Sequence, residues 1–228
     1  MRLDILTLFP GLFAGFLSES IPKIAQEKGA VDIHVHNIRN WSENKHAKVD
    51  DRPFGGGPGM VMTCQPLVDA VEAVRAMDAG PARLFFMTPE GRRFNQAAAV
   101  ELAEEERIIL VCGRYEGFDE RIFDILQPER LSLGDFILSG GEVAAMAVAD
   151  AVIRLLPDVL GCSGSAAADS FGEAMLDHPH YTQPPLFRGL AVPEVLRGGN
   201  HALIDAWRRE QALARTKRFR PDLLGHEG

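Results

Sequence analysis

Up to residue 156, short apolar runs alternate with longer segments whose apolar residues recur at helical spacing. The apolar runs predict β-strands over 3–9, 31–36, 82–87, 108–112 and 129–133. The intervening segments predict helices over 12–26, 66–77, 95–106, 119–126 and 143–156, with a break or kink at Pro22. Because strands that alternate with helices form βαβ units, the chain predicts an α/β fold with a parallel sheet.

Three glycine- or serine-containing loops follow the strands predicted over 82–87, 108–112 and 129–133. They are Thr88-Pro-Glu-Gly91, Gly113-Arg-Tyr-Glu-Gly-Phe-Asp119 and Leu131-Ser-Leu-Gly-Asp-Phe-Ile-Leu-Ser-Gly-Gly-Glu142. Glycine lets another group approach the backbone closely. Open α/β sheets usually bind ligands at the carboxyl ends of their strands. We therefore expect these three loops to form one ligand pocket.

The composition changes after residue 160. The segment Gly161-Cys-Ser-Gly-Ser-Ala-Ala-Ala168 is rich in small residues and predicts a flexible linker over 161–170, between a domain at 1–160 and a smaller one at 171–228. The smaller domain shows no strand-like run, and its prolines predict short helices. At 228 residues the chain is long enough for this division.

Charge is distributed unevenly between the predicted domains. The formal net charge of −8 argues against non-specific binding of nucleic acid. Seven basic residues nevertheless stand between 197 and 220, against the two acidic residues Asp205 and Glu210. The basic residues are Arg197, Arg208, Arg209, Arg215, Lys217, Arg218 and Arg220.

No membrane segment or extracellular location is expected. No apolar run approaches the length of a bilayer span, and Asp4 interrupts any signal-peptide pattern at the amino terminus. The three cysteines, Cys64, Cys112 and Cys162, are odd in number and never spaced as C-x-x-C. This pattern indicates a reducing cytoplasm and excludes a disulfide framework or a cysteine zinc site.

The glycine-rich segment Asp50-Asp-Arg-Pro-Phe-Gly-Gly-Gly-Pro-Gly-Met60 resembles a phosphate loop only superficially. It lacks the Gly-Lys-Ser/Thr ending and does not fit G-x-G-x-x-G, so a nucleoside triphosphatase is not expected. Two interpretations remain: a loop whose Asp50, Asp51 and Arg52 meet a substrate, or a structural turn. The histidine pairs 34/36 and 178/180 do not complete a tetrahedral metal site, so no metal centre is predicted.

Two charged residues each allow two interpretations. Arg154 lies among apolar helix residues, either as a surface side chain whose stem covers apolar atoms or as a guanidinium directed into a subunit interface. Asp169 follows the predicted linker, either as a helix cap or as a carboxylate brought to a pocket.

Five stretches carry a resemblance to a known family: the segments 49–60, 110–121, 132–142, 169–171 and 176–182. Together they strongly resemble the bacterial tRNA (guanine-N1)-methyltransferases, which modify the guanosine immediately 3′ of the anticodon, and they occur in the family order over nearly the whole chain. The resemblance implies a parallel-sheet SPOUT-type α/β fold with a deep trefoil knot, and a small all-helical C-terminal tRNA-binding domain. It also implies S-adenosylmethionine as methyl donor, tRNA as substrate and a homodimer with active sites between subunits.

The resemblance further assigns roles to individual residues. Glu116 would contact the target guanine, Arg154 would come from the neighbouring subunit and Asp169 would be the general base. The donor pocket would be lined by Phe86, Met87, Thr88, Pro89, Gly113, Tyr115, Ser132, Leu133, Gly134, Asp135, Phe136, Ile137, Leu138, Gly140 and Gly141. Guanine N1 carries a proton, and a carboxylate within hydrogen-bond reach can remove it.

Two other functions are weighed against methylation of guanine N1. A non-catalytic RNA-binding or assembly factor on the same scaffold would need neither Asp169 nor Arg154. A methyltransferase acting on a ribose 2′-hydroxyl would not call for Glu116 and Asp169 in this arrangement. The residues do not specify whether Mg²⁺ takes part.

Overall fold

A parallel sheet organises the amino-terminal part of the computed structural model, which describes residues 1–160, 169–171 and 174–225. The strands there are β1 (Arg2–Thr7), β2 (Asp32–Asn37), β3 (Asp50–Asp51), β4 (Val61–Met62), β5 (Arg83–Arg93), β6 (Arg107–Cys112) and β7 (Glu129–Ser132). Five of them form one parallel sheet in the order β2-β1-β6-β5-β7, and β3 pairs with β4 in a small antiparallel hairpin. The predicted parallel α/β fold is confirmed.

The chain divides into two compact units, Met1–Gly161 and Cys162–Gly228. Most of the linker predicted over 161–170 lies outside the described residues, as does Cys162. Cys64 and Cys112 are free thiols. In the described part of the chain, no helix is both long enough and apolar enough to cross a membrane.

Helices cover both faces of the sheet. They are α1 (Ala14–Ser18), α2 (Ser20–Glu27), α3 (Cys64–Ala76), α4 (Gln96–Ala103), α5 (Arg121–Leu126) and α6 (Glu142–Ile153). Alternate residues of β6 face opposite cores: Leu110 joins the cluster that includes α4 and α6, whereas Val111 joins the cluster that includes α3 and α5. Burial on both faces explains why the strand is a continuous apolar run instead of an alternating one.

The expected break at Pro22 is wrong in position. The helical segment is interrupted at Glu19, whose φ of −129° and ψ of 156° are extended. Pro22 instead lies in the first turn of α2 and is buried there. A proline is tolerated in a first turn because its missing N–H would have no partner within the helix.

Strand β5 extends past its predicted end at residue 87. Both Met87 and Arg92 align with Leu131 of β7, so the residues 88–91 bulge out and the strand resumes afterwards. A side chain at Gly91 would overlap the backbone of Arg130 and Leu131. Glycine therefore allows the chain to rejoin β7 after the bulge.

The buried carboxylate of Asp4 connects three strands and a helix. It accepts hydrogen bonds from Arg2 Nε at 2.9 Å and Arg107 Nε at 3.0 Å, and its Oδ1 lies 2.8 Å from His36 Nε2. Arg107 also donates to the carbonyl oxygens of Val74 and Arg75 at the end of α3. Burial alone would raise the pKa of Asp4, but these hydrogen bonds hold it well below its usual range.

The described part of the second unit contains the long helix α7 (His201–Phe219) after a short hairpin, β8 (Leu186–Phe187) and β9 (Leu190–Ala191). The hairpin contradicts the prediction that this domain is entirely helical. Its two turn residues, Arg188 and Gly189, have φ values of 52° and 81°, as a type I′ turn requires. Helix α7 begins where the side chain of Asn200 accepts a hydrogen bond from Leu203 N.

We predict that Asp4→Asn lowers the free energy of unfolding by about 3–5 kcal/mol at neutral pH, because it removes one partner of a buried ion pair. Asp32→Asn is the matched control, since Asp32 pairs with His34 at the surface. Urea unfolding of the purified proteins measures both changes.

The same variants predict a pH dependence. The pKa of Asp4 is lower in the folded state than in the unfolded state, so its stabilisation is present at neutral pH and declines as the pH falls below about 5. The stability difference between wild type and Asp4→Asn should therefore shrink in acid. A difference that stays constant down to about pH 3 would contradict this assignment.

Candidate active site

The three predicted loops line one cavity of about 530 Å³. They follow or interrupt β5, β6 and β7, which are neighbours in the sheet, so their loops meet at one edge. The cavity is lined by Met87, Thr88, Pro89, Glu90, Gly113, Arg114, Tyr115, Glu116, Gly117, Phe118, Glu120, Phe123, Leu131, Ser132, Leu133, Gly134, Phe136, Ile137, Leu138, Ser139, Gly140, Gly141 and Ala144.

The loop after β7 lies directly against the loop after β6. Gly141 N donates to Gly113 O at 2.8 Å, and a Cβ at Gly141 would stand 2.8 Å from both Cys112 Cα and Gly113 N. Side chains do not approach a backbone this closely. Gly141 is therefore required by contact between two segments of the chain itself, a constraint that its position in a motif did not reveal.

A buried acid, Glu142, supports this contact from beneath. Its side chain is at the start of α6 and is 1% exposed. It accepts from Thr7 Oγ1 at 2.8 Å and from Arg114 Nε at 3.1 Å, while Arg114 also donates to Ser139 O at 3.1 Å. Burial, and then the charge of Glu142, raise the pKa of the Cys112 thiol. That thiol is therefore a buried apolar group of the core, not a nucleophile.

Sequence reasoning did not assign a role to Arg114 or to this use of Glu142. The available signal was weak: both are charged residues placed next to glycines in two of the predicted loops. Thr7, which donates to Glu142, belongs to β1, and no local sequence pattern connects it with Glu142 or Arg114.

Glu116 is held by the glycine-rich segment. Its backbone N donates to Met60 O at 2.9 Å, and Met62 N donates to Gly117 O at 2.9 Å. Gly59 has a φ of +82°, and a side chain there would overlap that of Glu116. The segment after β3 thus packs against one wall of the cavity. Asp50 and Asp51 lie at its base, paired with Met62 and Val61 in the hairpin.

Thr88 presents a polar atom in the cavity wall. Its Oγ1 is buried and has no hydrogen-bond partner among the residues that the structure describes. Unpaired buried hydroxyl groups are uncommon, because each loses its hydrogen bonds to water without replacement. A polar ligand in the cavity would supply the missing partner.

Two residues expected in the donor pocket do not line the cavity. Phe86 is fully buried beneath it, with its ring 4.8 Å from that of Phe118. Asp135 is exposed and forms an ion pair of 2.6 Å with Arg93. All other residues predicted for the donor pocket, together with Glu116, line the cavity.

The two remaining predicted catalytic residues lie elsewhere in the chain. Arg154 is the half-buried C-cap of α6 and is not one of the residues that line the cavity. Asp169 belongs to the second unit, where residues 169–171 are described.

The histidine pair of the second unit has a carboxylate neighbour that the spacing argument overlooked. Asp177 Oδ2 lies 2.7 Å from His180 Nε2, and Asp177 Oδ1 lies 3.7 Å from His178 Nε2. These three residues could in principle hold a metal ion. Hydrogen bonds among the three residues already account for their arrangement. Burial raises the pKa of Asp177, but the hydrogen bonds with His180 and His178 lower it below its usual value.

Comparison with known proteins gives a consistent result. The family model described as tRNA (Guanine-1)-methyltransferase TrmD matches residues 1–226. Curated proteins named tRNA (guanine-N(1)-)-methyltransferase are similar over 98% of this chain: those of Dehalococcoides mccartyi (52% identical, 90% of its length) and Geobacter sulfurreducens (55%, 91%). A third, from Rhodopirellula baltica, is 55% identical over 98% of this chain and 94% of its own length. Because these matches cover almost the whole chain, including the loops that form the cavity, the chain belongs to the tRNA (guanine-1)-methyltransferase family.

Proposed function

We propose that this protein transfers a methyl group from S-adenosylmethionine to N1 of the guanosine immediately 3′ of the anticodon in tRNA. The observation that carries the proposal is the cavity into which the loops 88–91, 113–119 and 131–141 converge. Two of these loops belong to the stretches that carry the family resemblance. The donor supplies a methyl group on a cationic sulfur, so the protein's part is mainly positioning and proton removal.

The cavity suits a donor of this kind. Its wall contains backbone groups of the loop 132–141 and the unpaired hydroxyl of Thr88, which offer hydrogen bonds to a polar ligand. Leu131, Leu138 and Ala144 supply apolar surface. A volume of about 530 Å³ lies within the usual range for small-molecule sites.

Three residues would carry the chemistry of the target base. Glu116, fixed against Gly59 at the cavity wall, would accept hydrogen bonds from the edge of the guanine. Asp169 would remove the N1 proton, which makes that nitrogen a nucleophile. Arg154 would stabilise the negative charge that then builds on the guanine O6.

The proposal includes a homodimer in which Arg154 reaches the site of the neighbouring subunit. Exposed apolar side chains on and beside the cavity loop support it: Ile137 is 81% exposed and Val143 is 58% exposed. Exposed apolar residues in one region mark an interaction surface. Such a dimer should bury about 2,000 Å² or more in total.

The trefoil knot is also part of the proposal. It is supported by the backbone contact between the chain after β7 and the chain after β6, at Gly141 and Gly113. A cytoplasmic location agrees with the free thiols Cys64 and Cys112.

The second unit would bind tRNA, mainly through α7. Arg208, Arg209, Arg215, Lys217 and Arg218 are exposed on this helix. Basic side chains of this kind neutralise phosphates and release counterions. This local concentration of positive charge would allow binding in spite of the net charge of −8.

Neither rival function is favoured. The relatives are named as guanine-N1 methyltransferases, and none of the three compared is named as an RNA-binding factor or a ribose methyltransferase.

Gly141→Val should abolish donor binding and lower the melting temperature, because the new side chain would collide with the backbone of Cys112 and Gly113. Gly15→Val is the control, since a Cβ there meets nothing within 4 Å. Calorimetric titration with S-adenosylmethionine gives the affinities. Unchanged donor affinity in Gly141→Val would remove the loop 132–141 from the donor site.

Changing Arg215, Lys217 and Arg218 together to alanine should weaken tRNA binding and flatten its dependence on salt. Each lost phosphate contact reduces the slope of log affinity against log salt by about one unit. Titrations of labelled tRNA between about 50 and 200 mM salt measure the slope. The same slope in the variant and in wild type would place the tRNA contacts elsewhere.

A further prediction concerns Asp169 as the general base. With labelled donor and unmodified tRNA, wild type should form 1-methylguanosine, and Asp169→Asn should slow single-turnover methylation by about 10²–10⁴-fold. The amide keeps the size of the carboxylate but cannot take the proton, so tRNA and donor affinities should change little. Asp205→Asn, an exposed carboxylate on α7, is the matched control. Normal turnover in Asp169→Asn would leave Glu116 as the candidate base.

A further inference from the structure

The short segment that carries Asp169 is tied to the chain that follows it. Asp177 N donates to Ser170 Oγ at 2.9 Å, and Phe171 N donates to Met175 O at 2.7 Å. These bonds connect Ser170 and Phe171 to residues 175–177 of their own unit. Ser170 is the only side chain in these two bonds, and an alanine there could not accept the Asp177 N–H.

A second link joins Leu176, next to Asp177, to α7. Leu176 N donates to Thr216 Oγ1 at 2.9 Å, and the same hydroxyl donates to Ala212 O at 2.8 Å. Thr216 is fully buried. Its hydroxyl therefore acts as acceptor and donor at once, which serine can reproduce and valine cannot. The guanidinium carbon of Arg220, just beyond α7, also lies 5.6 Å from the ring centre of Phe171.

The side of α7 that faces away from the Thr216 hydroxyl is exposed to solvent. Arg215, Lys217 and Arg218, which flank Thr216 in the sequence, are exposed. Within one turn, the helix therefore exposes three basic side chains to solvent and buries the hydroxyl group of Thr216. A side chain anchored to a rigid element is placed more accurately than one on an untethered arm.

We propose that Ser170 and Thr216 are positioning residues for methyl transfer: they hold the Asp169 segment on α7, so that binding of tRNA by this helix also sets the position of the base. The inference rests on the proposed function, which gives Asp169 its role. Neither hydroxyl needs to touch the substrate. Misplacement of a reacting group by about 1 Å can reduce a rate by about 100-fold.

The test compares Thr216→Val and Ser170→Ala with the conservative variants Thr216→Ser and Ser170→Thr. Single-turnover methylation at saturating donor and tRNA should fall by about 10- to 100-fold in the first two and recover in the second two. Affinities for tRNA and for S-adenosylmethionine should remain within about twofold of wild type. Ser170 is only half-buried, so its variant keeps the test valid if Thr216→Val fails to fold.

A double-mutant cycle distinguishes positioning from a general loss of structure. If Thr216 acts through Asp169, Thr216→Val should slow wild type but have almost no further effect in the Asp169→Asn background. Full rates in Ser170→Ala and Thr216→Val, or equal losses in both backgrounds, would overturn the inference. The proposed function fails separately, if wild type itself forms no 1-methylguanosine.

Discussion

The contact between Gly141 and Gly113 is the constraint on which the candidate site depends. A hydrogen bond of 2.8 Å joins their backbones, and no side chain fits at Gly141. The loop after β7 can therefore lie flat against the loop after β6, and the space left between them and β5 becomes the cavity. Any larger residue would separate the loops and open the site, because interiors are close-packed and cannot yield locally.

Two buried carboxylates, Asp4 and Glu142, form hydrogen bonds at opposite ends of β1. Asp4, in β1, joins Arg107 and His36 across neighbouring strands, while Glu142 joins Thr7 at the other end of the same strand to Arg114. Both acids have hydrogen-bonded partners, as buried charges require. The first cluster secures the fold, whereas the second lies below the cavity and fixes the backbone of Ser139.

The two units contribute different things to the proposed reaction. The first unit contains the cavity lined by the three loops. The second unit contains the basic helix α7 and the carboxylate of Asp169. If Asp169 is the base, as proposed, this division would make the reaction depend on tRNA, because the same unit would carry the base and bind the phosphates. The buried hydroxyl of Thr216 in α7, which accepts a hydrogen bond from Leu176 N, would connect those two proposed roles.

The sequence by itself determined the α/β class, the order of the five sheet strands and their intervening helices, and the three loops that meet in the cavity, because local periodicity and glycine placement encode them. It did not reveal the β3–β4 hairpin of the first unit. It misplaced the break near Pro22 and missed the β8–β9 hairpin, since a first-turn proline and a two-residue turn depend on the exact start of each element. Only the tertiary structure revealed the contacts of Glu142, Arg114 and Thr216. Thr7 and Glu142 are 135 positions apart, and no local pattern records a contact made across that separation.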